Sequence, residues 1–206
     1  MRVCVITLLL FCGNVLGSDL TRQIILVEAT NAHSQYGHLW LLDEGKNHAW
    51  HAVMQTPVVL GKNGVSAHRH EGDNKTPLGI YKIHTAFGFS PKALNPKLQY
   101  HQILPDTNCI DDSKSRYYNQ IIELHSVTKD WDSSEQMHTI PLYHYGLFIP
   151  FNQQKQPGKG SCIFIHIWKN SHTGTAGCIA MPLPTLKLLI KNLGPFPSVS
   201  ITAKNS

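Results

Sequence analysis

Charge is scarce in this chain. Asp, Glu, Lys and Arg make up 15% of its 206 residues, against 42% hydrophobic residues. Disordered tails have the reverse balance, so a folded chain is expected. No apolar run reaches the roughly 18–20 residues of a membrane span, so the mature chain should carry no transmembrane segment. Lys and Arg never cluster beyond a pair, and a net charge of +5 is a weak field at this length, so nucleic acid is not an expected partner. Repeats, low-complexity tracts and linkers are also missing. Histidine is plentiful, and His68, His70 and His84 lie close in sequence, yet no recognised ligand spacing such as His-Glu-x-x-His occurs. Neither a metal nor another cofactor is therefore expected.

What is present begins with an export pattern. Met1-Arg2 precedes the apolar stretch Val3 to Cys12, and Val15 and Gly17 are small residues ahead of a cleavage point. Residues 1–17 read as a secretory signal peptide, and residues 18–206 as one domain secreted into the periplasm. Removing the signal takes Cys4 and Cys12 with it and leaves Cys109, Cys162 and Cys178. In an oxidising compartment an odd count leaves one thiol over. Three pairings are open; the simplest joins Cys109 to Cys162 and leaves Cys178 free.

The mature chain reads as strand-rich. Gln23 to Glu28, Gly37 to Leu42, Asn47 to Met54, Pro57 to Leu60, Ile80 to His84, Gln120 to His125, Tyr145 to Pro150, Ser161 to Trp168 and Ser198 to Thr202 are the candidate strands. Ala86 to Tyr118 is rich in Pro and Asn and carries no clear pattern. Leu186, Leu189, Ile190 and Leu193 fall at i, i+3, i+4 and i+7, with Pro184 and Thr185 at the start and Gly194 at the stop. That spacing predicts one amphipathic helix. A second, short helix is expected over Ser133 to His138. The class is mainly β with a few short helices.

Cys178 sits in Thr175-Ala176-Gly177-Cys178-Ile179, where small residues crowd in just before the sulfur. A carbonyl substrate needs that room, and backbone N–H groups need it to converge on an oxyanion. His166 precedes it by 12 residues within the apolar run Phe164-Ile165-His166-Ile167-Trp168. A neighbouring imidazole can hold such a cysteine as a thiolate–imidazolium pair. On spacing alone two readings stand: an activated nucleophile, or a buried structural thiol beside a satisfied core histidine.

Four ordered segments bear on that choice. Gly160 to His166 with Thr175 to Met181 resembles the active-site signature of the YkuD-type L,D-transpeptidases. Glu71-Gly72-Asp73-Asn74-Lys75-Thr76-Pro77-Leu78-Gly79-Ile80-Tyr81 is similar to a further segment of that family. Cys109-Ile110-Asp111-Asp112 and Trp131 to Met137 resemble segments of one extracytoplasmic branch. The resemblance implies a single L,D-transpeptidase-like β-sandwich or barrel domain acting on peptidoglycan stem peptides. It implies that Cys178 attacks the carbonyl of the third stem residue, commonly meso-diaminopimelate, so that D-alanine leaves and a thioester remains. His166 then serves as base and acid. Gly177 and Cys178 supply backbone N–H groups to the oxyanion, and Thr175 orients the loop. Apart from the resemblance, strand alternation puts Trp168 on the face of His166, where two readings stand: a wall of the cleft, or simple packing. An amine of a second stem or of an anchored lipoprotein resolves the thioester; water as acceptor gives a carboxypeptidase, and loss of chemistry a peptidoglycan-binding relative. This chain departs from the commonest motif at Ala176, where many members have a second His, at Ala180, where many have Arg, and at Ile167-Trp168. These changes bear on how substrate carboxylates are held.

Overall fold

Alternation of β-branched residues sets the first strand. In β1 (Gln23–Ala29) every second side chain, Ile25, Val27 and Ala29, is buried while its neighbours are partly open. The computed structural model describes residues 22–204; the expected signal segment 1–17 lies outside the described residues. β2 (Tyr36–Glu44) and β3 (Trp50–Val59) pair antiparallel beside β1. The expected strands at Asn47 to Met54 and Pro57 to Leu60 are thus one long strand. Pro57 lacks an N–H to donate, and it is tolerated because the next strand pairs with β3 only at Val59.

Then come β4 (Val65–Ser66), β5 (Thr76–Pro77), β6 (Gly79–Lys82), β7 (Thr85–Gly88), β8 (Gln99–Gln102), β9 (Thr107–Cys109), β10 (Ile121–Glu123), β11 (Glu135–Gln136), β12 (Tyr145–Phe148), β13 (Phe164–Ile167) and β14 (Ile179–Met181). A single helix, α1 (Leu183–Asn192), and β15 (Ser198–Ala203) close the described chain. Ten strands form one curled sheet in the order β6-β15-β1-β2-β3-β14-β13-β12-β7-β8. A three-stranded sheet, β10-β9-β11, stands beside it.

The fold is mainly β, as expected. α1 turns Leu186, Leu189 and Ile190 onto the core that also holds Ile25, Leu39, Leu147 and Ile165. Each such buried side chain is worth about 1.5–3 kcal/mol relative to exposure. Two expectations need correction. Ser133 to His138 is not a helix: Glu135–Gln136 pairs with β9, and only Met137–Thr139 makes a 3₁₀ turn. The run from Ser161 to Trp168 is strand only over Phe164–Ile167, because Cys162 takes φ +53° and breaks the extended chain. The Cys162 N–H is held by the Asn119 side-chain oxygen at 2.9 Å, which fixes that bend.

Candidate active site

β13 and β14 run parallel with Ile165 opposite Ile179 and His166 opposite Ala180. That register puts Cys178, the residue just before β14, next to the strand that carries His166. Both side chains line one cavity of about 200 Å³, together with Glu135, Tyr143, Thr175 and Lys169.

The loop before Cys178 is pinned from several sides. Thr175 N–H donates to Leu60 O at 2.8 Å, and its hydroxyl donates to Cys178 O at 2.6 Å. Thr76 also donates to Cys178 O, at 3.4 Å, and accepts from Gly61 N–H at 2.8 Å. Gly177 has φ +144°, and a Cβ there would lie 2.8 Å from Lys75 O and 3.2 Å from an Arg69 guanidinium nitrogen. Only glycine fits such a close approach without displacing the backbone of the Lys75 segment. The Glu71 to Tyr81 segment is therefore the wall behind the cysteine loop.

That wall is built on buried charge. Arg69 donates twice to Asp73 Oδ1, at 3.0 and 2.9 Å, and both side chains are almost fully enclosed. Burial alone would raise the Asp73 carboxyl, but the bonds from Arg69 and the N–H groups of Lys75 and His70 outweigh it and hold it below its usual range. One Arg69 nitrogen has no hydrogen-bond partner among the described residues and faces the Gly177 backbone. Glu71 accepts from the hydroxyls of Tyr118 and Ser161, and Gly160 N–H donates to the Tyr118 oxygen at 2.9 Å. Glu71 and Asp73 thus tie loops together.

Cys109 and Cys162 form a disulfide with their Cα atoms 6.1 Å apart, and Cys178 is a free, buried thiol. Its sulfur accepts Phe164 N–H at 3.3 Å and donates to Cys162 O at 3.4 Å. His166 Nδ1 donates to Ile167 O at 2.7 Å, so a backbone carbonyl sets its tautomer and leaves Nε2 as the basic nitrogen. The Tyr143 ring stands edge-on to the imidazole, 5.3 Å between centroids.

The family model for the L,D-transpeptidase catalytic domain, YkuD, matches residues 23–201. The chain belongs to the YkuD family of L,D-transpeptidase domains. No curated protein matches it in sequence. Among solved structures it is similar to the helical cell shape determining protein Pgp2 from Campylobacter jejuni, at 17% identity and TM-score 0.45, covering 91% of this chain and 50% of that one. It is also similar to L,D-transpeptidase 1 of Mycobacterium tuberculosis, at 13% identity and TM-score 0.40, covering 88% and 62%. The chain spans about half the length of Pgp2.

Burial dominates the electrostatics of this YkuD site. Desolvation, with a smaller push from Glu135, raises the Cys178 thiol to about 12. Desolvation lowers His166 to about 4. Burial penalises the charged forms of both groups, so both shifts favour the neutral thiol and the neutral imidazole over a thiolate–imidazolium pair.

The remaining expected site residues are placed unequally. Thr175 lines the cavity. Gly177 N–H is already taken by the Thr175 hydroxyl at 3.1 Å, whereas the Cys178 N–H has no acceptor among the described residues. Trp168 stands just past the end of β13, its N–H still donating to Met181 O at 2.9 Å, and is not among the cavity-lining residues. Three neighbours went unnoticed as site residues in the sequence: Glu135, Tyr143 and Arg69. Arg69 has a four-residue spacing to Asp73, and Glu135 lies within the Trp131 to Met137 segment that carries the resemblance; Tyr143 has no such signal.

Proposed function

We propose that this protein is an extracytoplasmic cysteine L,D-transpeptidase acting on peptidoglycan tetrapeptide stems. The observation that supports it is the shared cavity of Cys178 and His166 within a matched YkuD domain. His166 Nε2 removes the thiol proton as the sulfur attacks the stem carbonyl, so charge forms only when substrate fills the site. The free Cys178 N–H is the first donor to the resulting oxyanion, and the Arg69 guanidinium behind Gly177 adds a fixed positive field. Collapse of the intermediate expels the D-alanine amine, which takes its proton from the imidazolium. The thioester is then opened by an acceptor amine, with His166 again moving the proton. The acceptor amine belongs to a second stem or to an anchored lipoprotein.

Incubation of the full chain with purified peptidoglycan, followed by mass analysis of the muropeptides, tests this reading. New cross-links or exchange of the terminal residue are expected, and both should vanish in Cys178→Ala. Tripeptide stems alone would show that water is the acceptor. Unaltered stems would leave a binding relative in place of an enzyme.

A further inference from the structure

The reaction cavity contains a carboxylate that the acyl transfer described above does not employ. Glu135 lies on β11, in register with the disulfide-bonded Cys109 on β9. It lines the cavity alongside Cys178 and His166. Its Oε2 accepts the Tyr143 hydroxyl at 2.7 Å. Its other oxygen receives no donor among the described residues, and no described Lys, Arg or His comes within ion-pair distance of it. Lys169 is the other acidic or basic chain, apart from His166 and the thiol, on the cavity wall; it is exposed and makes no ion pair with Glu135.

A partly buried carboxylate without a cation is costly, and its free oxygen is an acceptor aimed at whatever enters. A divalent metal needs several oxygen or nitrogen ligands, and no group of three His, Cys, Asp or Glu side chains converges anywhere among the described residues. A primary ammonium needs far less: one carboxylate oxygen and one or two further oxygen acceptors, and Thr173 lies on the same cavity wall. We propose that Glu135 forms an ammonium subsite beside Cys178, holding a ligand's primary amine on one side of the cavity while its carbonyl faces the thiol. For the ligand's carbonyl this rests on the acyl-transfer reading; for the cation it does not. Tyr143 acts as a positioning residue, fixing one carboxylate oxygen so that the other points into the cavity.

The test uses thiol reagents of matched size and opposite charge on the full chain. The Cys178 sulfur displaces methanesulfinate from 2-aminoethyl or 2-sulfonatoethyl methanethiosulfonate and forms a mixed disulfide. The ratio of the two rates is measured at pH 8.5 and normalised to the same ratio for a small free thiol. Wild type should favour the cation, and Glu135→Gln should reduce that preference by roughly tenfold or more, as expected for two charges several ångströms apart in a partly desolvated site. Absence of a cation preference in wild type overturns the subsite without any variant. An unchanged ratio in a folded Glu135→Gln protein also overturns it. If that variant does not fold, Glu135→Met, which leaves no unpaired amide, carries the same comparison. A second arm compares stem peptides with a free or an acetylated side-chain amine; the free form should be preferred through KM, and Glu135→Gln should abolish the difference. Reagent preference without stem acylation sinks the enzyme reading alone. Stem acylation without either preference sinks the subsite alone.

Discussion

The Cys178 thiol donates to the carbonyl of Cys162, 3.4 Å away, and Cys162 is itself bonded to Cys109. The disulfide therefore fixes the acceptor that holds the reactive sulfur in its resting position. It closes a loop with a sequence separation of 53 residues. In the chain-entropy model such a loop stabilises the fold by about 4 kcal/mol. Replacing both cysteines, Cys109→Ser with Cys162→Ser, should cost close to that amount in urea unfolding. Alkylation of Cys178 should also become faster in the folded double variant, since its carbonyl partner loses its anchor.

Neutrality of the resting pair has a kinetic signature. With the thiol raised to about 12 and the imidazole lowered to about 4, no thiolate is held through the neutral range. The rate of iodoacetamide labelling at Cys178 should climb by about tenfold per pH unit from pH 6 to 10, following the thiolate fraction. A flat rate across pH 6 to 8 would reveal an ion pair instead.

Two buried groups pull stability in opposite directions. The folded value of His166 is depressed from 6.5 to about 4, so its contribution is present above 6.5 and is lost as pH falls toward 4. Glu135 is raised from 4.5 to about 7, chiefly by desolvation, so its contribution is present below 4.5 and is lost as pH rises toward 7. Each change is worth roughly 3 kcal/mol, and over pH 4.5 to 6.5 they offset one another. Glu135→Gln removes one side. Its unfolding free energy should drop on acidification from pH 6.5 to 4.5 by roughly 2 kcal/mol more than that of wild type. Equal acid sensitivity in the two proteins, by denaturant titration at both pH values, would contradict these shifts.

The Arg69–Asp73 pair should behave as a unit. Arg69→Met leaves a buried carboxylate without its cation and should cost about 3–5 kcal/mol. Adding Asp73→Asn to it should cost less than the sum of the two single changes, because each single change strands the other partner. Strict additivity in a double-mutant cycle would show that the pair is not coupled.

The readable parts of this molecule were those set by local pattern. Alternating burial gave β1 and β15 their sequence signature, and the 3.6-residue period of Leu186, Leu189 and Ile190 marked α1. Cys178 and His166 stood out because small residues and a lone base in an apolar run are locally odd. The rest depended on contacts far apart in sequence. The start of β13 is set by Asn119 reaching Cys162, a separation no local pattern records. Glu135 reads as part of a polar stretch until β11 docks on β9 and turns it toward the thiol. The Ala86 to Tyr118 stretch looked patternless because its strands are short: β7, β8 and β9 hold three or four residues each and are fixed by their partners.

One measurement bears most directly on the central claim that Cys178 becomes acylated with His166 as its base. Folded protein with its Cys109–Cys162 bridge intact is mixed with a tetrapeptide stem, quenched in acid and weighed intact, with the adduct mapped by proteolysis. The account predicts a thioester on Cys178 with loss of the terminal residue, none in Cys178→Ala, and formation slowed by about 10²–10⁴ in His166→Ala. A stem that never becomes attached to the folded protein, or one attached just as fast without the imidazole, would contradict it.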